Sequence, residues 1–248
     1  MNNVLGRAGL AAVRNYARRR LLVALDFDGT LSPIVRDPAA ATMRQRTAAL
    51  LGEVAARYPC VVVSGRARAD VAAKLGRIPL RAVIGNHGME PWPSGLGAAR
   101  RLAAGWRKRL AVELPPIHGM VVEDKGPSLA IHYRRARARG EVRKLLLEVA
   151  SGLPSARILE GKMVVNLLPA GAPDKGTAVL RLSRRLRCDG VLYVGDDAND
   201  EDAFTLSERV SLLAIRVGRA RRSGAPWFLP SQRAVDRLLA RLVRLRPV

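Results

Sequence analysis

Apolar residues in this chain fall into short unbroken runs separated by longer stretches of helical spacing. The runs 21–25, 60–63 and 191–194 are almost wholly Leu, Val and Ala with one Cys and one Tyr, the pattern of strands covered on both faces. Between them, 42–58 and 177–186 repeat apolar positions every three or four residues and predict helices. Strand, helix and strand in alternation predict an α/β fold with a parallel sheet and right-handed crossovers. Each run ends in a polar stretch, at Asp26, Ser64 and Gly195. In such a sheet these ends share one edge, where ligands bind.

The middle of the chain follows another pattern. The proline-rich stretch 91–95 breaks it, and a basic helix is expected at 98–110. Strands are expected at 120–123 and 128–133, joined by the turn Asp124-Lys125-Gly126-Pro127. A helix at 140–150 and strands at 157–159 and 162–167, turning at Glu160-Gly161, complete an α+β insert. The stretch 169–173 (Pro-Ala-Gly-Ala-Pro) reads as the hinge back. The predicted division is a core of 1–88 with 171–248, and an inserted domain at 89–170. Residues 1–20 and the basic, apolar-striped 234–245 are expected to be helices docked on the core.

Composition adds limits. The 248 residues suffice for a substantial core, and no apolar run nears the roughly 20 residues of a membrane helix. The arginine-dotted N-terminus lacks the apolar centre of a secretory signal. Cys60 and Cys188 adjoin predicted strands and read as reduced thiols of a cytoplasmic protein. Net charge is +22, from 43 basic and 21 acidic residues, a balance that also suits nucleic-acid binding. The arginines are scattered, however, and aromatics make up only 4%, so base-stacking platforms are scarce. The reading kept is a compositional bias without a function of its own, with attraction of an anionic substrate as a side benefit.

Candidate chemistry gathers at the strand ends. Asp26 and Asp28 stand two residues apart behind the first run and before Gly29-Thr30. Such a pair suits attack on phosphorus by one carboxylate and proton transfer by the other, although acidic pairs also shape turns. Ser64-Gly65-Arg66 offers a hydroxyl and backbone amides to phosphate oxygens. Lys175 opens a predicted helix, where a point charge and the helix N-terminus both favour an anion. The 195–202 segment holds Asp196, Asp197, Asp200, Glu201 and Asp202, acids that repel one another unless a cation or basic group offsets them.

These four elements, in this order, resemble the motifs of the haloacid dehalogenase superfamily. Asp26-Phe-Asp-Gly-Thr-Leu-Ser-Pro-Ile34, Gly85-Asn-His-Gly-Met89, His132-Tyr-Arg134 and Gly195-Asp-Asp-Ala-Asn-Asp-Glu-Asp-Ala-Phe204 resemble the trehalose-6-phosphate phosphatase family more closely, over about residues 20–240. The resemblance implies a haloacid-dehalogenase-like Rossmannoid core with a smaller α+β cap of the C2 type. It implies Asp26 as nucleophile, Asp28 as proton shuttle, and Mg2+ held by Asp26, the Asp28 backbone carbonyl and Asp196. Thr30, Ser64, Gly65 and Lys175 would hold phosphate. Asp200 would orient Lys175, and Asp197 would be either an outer metal partner or a structural acid.

For the sugar, the resemblance implies Arg66, Asn86 and His87 near the core junction, and Glu123, Arg134, Lys162 and Asn166 in the cap. His118 and His132 are expected to be structural. The chain departs from the family at Asn166 and Leu168, where a glutamate and a basic residue are usual. Losing a charge-assisted bond costs about 1–3 kcal/mol, enough to shift sugar preference. The expected substrate is trehalose 6-phosphate, with another disaccharide phosphate or glucosylglycerol phosphate as the alternative. A glycosyltransferase is the expected metabolic neighbour. Transfer to an alcohol rather than water, and a nucleic-acid binder on a degenerate scaffold, are further alternatives.

Overall fold

The computed structural model describes every residue except Arg36, Pro93 and Val248. The chain divides into two compact units, Met1–Gly88 with Asp174–Val248, and Met89–Pro173.

The first unit contains β1 (Asn2–Asn3), α1 (Arg7–Ala17), β2 (Leu21–Leu25), α2 (Gln45–Arg57), β3 (Cys60–Val63), α3 (Arg68–Leu75) and β4 (Ala82–Ile84). The second contains α4 (Leu96–Glu113), β5 (Val121–Asp124), β6 (Leu129–His132), α5 (Arg139–Ser151), β7 (Ala156–Gly161) and β8 (Val164–Pro169). The chain then returns to the first with α6 (Lys175–Arg185), β9 (Gly190–Gly195), α7 (Glu201–Phe204), β10 (Leu212–Val217), β11 (Trp227–Leu229) and α8 (Val235–Leu245).

The first unit is built on a seven-stranded sheet of order β1-β11-β10-β9-β2-β3-β4, parallel throughout. All five residues of β2 are buried, which explains its unbroken apolar sequence. Alternate side chains, Leu21, Val23 and Leu25 among them, join Leu51, Val54, Leu238 and Leu242 in one core. The apolar stripe of α8 is fully covered at Val235, Leu238, Leu239 and Leu242, each such burial worth about 1.5–3 kcal/mol. Asp236 on the same helix is also buried. It accepts from Thr47 Oγ1 at 2.7 Å and pairs with Arg44 at 3.1 Å, tying α8 to the start of α2.

Strand β2 lies at the switch point of the sheet. From it the chain crosses to β3 on one side, while β9 pairs on the other. In register, Leu25 stands opposite both Val62 and Val194. Asp26, Ser64 and Asp196 therefore leave the sheet at one edge, as ligand-binding geometry in parallel sheets requires.

The second unit is an antiparallel sheet of order β5-β6-β8-β7. One face, with Leu129, Ile131, Val165 and Leu167, packs on Trp106 and Leu110 of α4 and Val142 and Leu146 of α5. Its β7–β8 turn falls at Lys162-Met163 rather than at the expected Glu160-Gly161, which are β7 residues paired with Val165 and Val164. Met163 takes the left-handed turn conformation, φ 64°. The N-terminus also differs from expectation. Residues 2–3 form an edge strand beside β11, and helix starts only at Arg7. Of the two free thiols, Cys60 is buried and Cys188 partly so. Burial pushes the Cys60 thiol up to about 12.

Candidate active site

The β2 edge begins with Asp26, whose N–H donates to Val194 O at 2.9 Å. The chain then turns tightly. Leu31 and Ser32 N–H donate to Phe27 O at 2.9 and 2.8 Å, and Gly29 N–H donates to Ser32 O at 2.7 Å. Gly29 has φ 81°, and a Cβ there would overlap the Asp196 carboxylate. Only glycine meets both constraints cheaply. Gln232, which sequence reasoning missed, fixes the turn by donating to Thr30 O and Leu31 O, both at 3.0 Å.

Behind this turn lies a buried ionic cluster. Lys175, 1% exposed, donates from Nζ to Asp26 Oδ1 and Asp200 Oδ1, each at 2.7 Å. It occupies the first position of α6 because Asp174 caps that helix, accepting from Thr177 N–H at 2.6 Å. Asp200 also accepts from Tyr193 Oη at 2.7 Å, and its Oδ2 accepts from the N–H groups of Asp196 and Asp197 at 2.9 and 3.0 Å. Asp197 turns back to accept from Ala198 N–H at 2.9 Å. It caps the short turn 198–200.

Burial pushes the Asp26 carboxyl well above its usual range; Lys175 pulls it down, and Asp200 and Asp196 push it up again. Burial alone would lower Lys175, but Asp200 and Asp26 outweigh it and hold the ammonium protonated. Carboxylate oxygens of Asp26, Asp196 and Asp200 lie within 4.8 Å of one another. Three buried acids against one lysine leave a deficit of two positive charges, which a divalent cation matches. Asp200 already receives four donors, which leaves its oxygens little capacity to bind a cation. Arg216, also missed in the sequence, supports that loop through the carbonyls of Asp196 (2.7 Å) and Asp197 (3.1 Å). It reaches them because Arg216 pairs in register with Gly195.

Among the described residues Thr30 Oγ1 is buried without a hydrogen-bonding partner, and Ser64 is fully buried with its Oγ accepting from Arg66 N–H at 3.2 Å. Both hydroxyls retain a proton to donate. Asn86 and His87 adopt left-handed φ of 48° and 57° and pack behind this loop, with His87 N–H donating to Ser64 O at 3.0 Å. A Cβ at Gly65 would overlap the His87 ring. Arg66 differs from the expectation of a sugar-binding donor. Its guanidinium takes Asp28 two-pronged, at 2.7 and 2.8 Å, and also bonds Asp70 and Pro38 O.

The second unit carries the other four candidates. Its register sets Glu123, Ala130 and Asn166 in one row across three strands, on the face away from α4 and α5. Strand spacing puts the outer two about 10 Å apart, with only a methyl between them. Asn166 Nδ2 donates to Leu159 O at 3.2 Å. His132, expected to be structural, bonds Glu123 Oε2 through Nε2 at 2.8 Å. Arg134 donates to Lys162 O at 3.1 Å.

The switch-point aspartate pair, the hydroxyl that follows it, the buried lysine and the acidic loop thus gather at one edge of the parallel sheet. A family model described as trehalose-phosphatase matches residues 24–232. The chain belongs to the trehalose-phosphatase family. It is 40% identical over 203 residues to a trehalose-phosphate phosphatase of Mycobacterium avium (strain 104), covering 76% of this chain and 51% of that protein. It is 34% identical over 232 residues to a probable trehalose-phosphate phosphatase 9 of Oryza sativa subsp. japonica, covering 84% and 62%. The solved C-terminal domain of a C. albicans trehalose-6-phosphate phosphatase is similar in fold, with TM-score 0.76, 21% identity and 98% of each chain covered. The chain thus spans about half the length of the Mycobacterium relative. No helix among the described residues is long and apolar enough to cross a membrane.

Proposed function

We propose that this chain hydrolyses a sugar phosphate monoester, trehalose 6-phosphate foremost, with Mg2+ as cofactor. The observation that carries the reading is Lys175 buried between Asp26 and Asp200, on a chain of the trehalose-phosphatase family. Asp26 attacks phosphorus in line and forms an aspartyl-phosphate. Asp28 donates a proton to the departing sugar oxygen, then accepts one from the water that hydrolyses the intermediate.

Lys175 makes two of its three available donations to carboxylates, leaving one for a phosphate oxygen. Thr30 and Ser64 hydroxyls and the Gly65 amide supply further donors. Mg2+ fits the acid-rich pocket, and Asp26, the Asp28 carbonyl and Asp196 are the residues that would hold it. When bound, it offsets the charge shared by the carboxylates and the phosphate.

The Met89–Pro173 unit is proposed as the specificity cap, with Glu123, Arg134, Lys162 and Asn166 as its sugar contacts, and Asn86 and His87 as those of the core. Asn166 supplies both a donor and an acceptor where the family has an acid. A glycosyltransferase that makes the sugar phosphate is the matching metabolic neighbour. Phosphate release from a panel of sugar phosphates, with Mg2+ and with EDTA, tests the reading. Metal-dependent preference for trehalose 6-phosphate supports it; metal-dependent preference for another sugar phosphate replaces the substrate. Absence of metal-dependent release across the panel refutes it.

A further inference from the structure

We infer that Arg66 is a positioning residue for proton transfer, fixing the Asp28 carboxylate in its working orientation. The inference rests on Asp28 being the proton shuttle of the proposed reaction.

Asp28 lies on the turn after β2, and its side chain is 34% exposed. A short side chain there has rotamers to choose among unless something holds it. Arg66 Nε donates to Asp28 Oδ2 at 2.7 Å and Nη2 to Oδ1 at 2.8 Å, the two-pronged geometry that fixes a carboxylate plane as well as its position. Each oxygen keeps one lone pair outside the clamp, so the proton in transit has a site that Arg66 does not block.

The clamp is itself immobilised. Arg66 Nη1 donates to Asp70 Oδ2 at 2.7 Å and Nη2 to Pro38 O at 2.8 Å, and the guanidinium lies 5.7 Å from the Phe27 ring centre. Its backbone is anchored by N–H to Ser64 Oγ at 3.2 Å and by its carbonyl to Asn86 N–H at 2.7 Å. Four of the five guanidinium N–H groups are engaged and the side chain is 13% exposed. Such a group is poorly placed to bind sugar and well placed to aim a neighbour.

A residue that aims a proton donor matters in proportion to how much the leaving group needs a proton. The test measures kcat/KM, which reports steps through release of the alcohol, for trehalose 6-phosphate, phenyl phosphate and 4-nitrophenyl phosphate. Nitrophenolate departs readily as an anion; phenolate and a sugar alkoxide do not. Asp28→Asn serves as reference.

Arg66→Ala is expected to lower kcat/KM about tenfold or more for the first two substrates and less than about threefold for the nitrophenyl ester. Arg66→Lys should recover part of the loss, keeping charge but not the fork, and carries the comparison should the alanine variant fold poorly. Equal losses on all three substrates in both Arg66 variants, with Asp28→Asn selective, would overturn the inference and leave Arg66 a tether for the 38–41 segment. Should Asp28→Asn show no leaving-group dependence, the shuttle reading of Asp28 falls and this inference with it.

Discussion

Lys175→Met removes the lysine from the buried acidic cluster while keeping a side chain of similar length, so little of its effect comes from a cavity. Lys175 and both its partners are 6% exposed or less at the side chain, with each contact at 2.7 Å. Removing one partner of such a buried pair costs about 3–5 kcal/mol, because the charges left behind are no longer compensated. For a unit of this size each kcal/mol moves Tm by about 2–4 °C, so thermal unfolding in EDTA should fall by roughly 6–20 °C.

The pH dependence has a definite sign. Burial, Asp200 and Asp196 already raise Asp26, and Lys175 opposes them. Without Lys175, the folded pKa of Asp26 rises further above its unfolded value of about 3.9. A group raised in this way favours folding at low pH and loses that contribution as pH climbs through its folded pKa. The deficit of Lys175→Met should therefore be largest near neutrality and shrink as pH falls toward about 4. Lys175 itself is raised, so its own contribution is present up to its unfolded pKa and lost only above it, leaving the wild type unchanged by lysine titration near pH 7. Differential scanning calorimetry of both proteins from neutral pH downward measures this. A variant that melts with the wild type at neutral pH in EDTA would refute the argument that Lys175 compensates the cluster.

Asp26→Asn should abolish release of phosphate while melting within a few degrees of wild type, since it removes a buried charge along with the proposed nucleophile; full turnover, with reversion to Asp excluded by mass spectrometry, would sink the proposed mechanism. Arg216→Ala should raise the Mg2+ concentration for half-activation about 10–100-fold, as losses of groups that orient metal ligands do; an unchanged metal titration would show that the Asp196 loop holds itself. Thr47→Val should cost about 1.5–3 kcal/mol in urea unfolding, because Asp236 loses a buried hydroxyl donor, with kinetics unaffected. A combined loss of stability and substrate affinity would contradict that separation.

Much of this molecule was legible in its sequence, for identifiable reasons. Strands β2, β3 and β9 are covered on both faces, so their apolar runs are unbroken and their ends mark where the polar loops start. Asp26, Asp28, Ser64 and Asp196 follow those ends and Lys175 opens α6, positions that local pattern alone marks as candidates. The insert's antiparallel strands and flanking helices were equally readable, from alternation and turn residues. Short elements were not: β1 has two residues and β4 and β11 three, too few to show any period, and they form only because neighbouring strands supply their partners. The β7–β8 turn was misplaced because Glu160-Gly161 carries a turn-like sequence, whereas pairing with β8 decides register.

Side-chain partnerships across long sequence separations were invisible for a different reason. Arg66 and Asp28 lie 38 residues apart, and Gln232 and Thr30 lie 202 apart; neither pairing leaves a local trace. An arginine beside a phosphate-type loop reads as a ligand donor until the fold shows its N–H groups engaged elsewhere. Residue type and order determined which chemistry this chain carries. The parallel sheet decided which of those residues meet, because its register brings strand ends together and its packing determines which polar groups must answer one another.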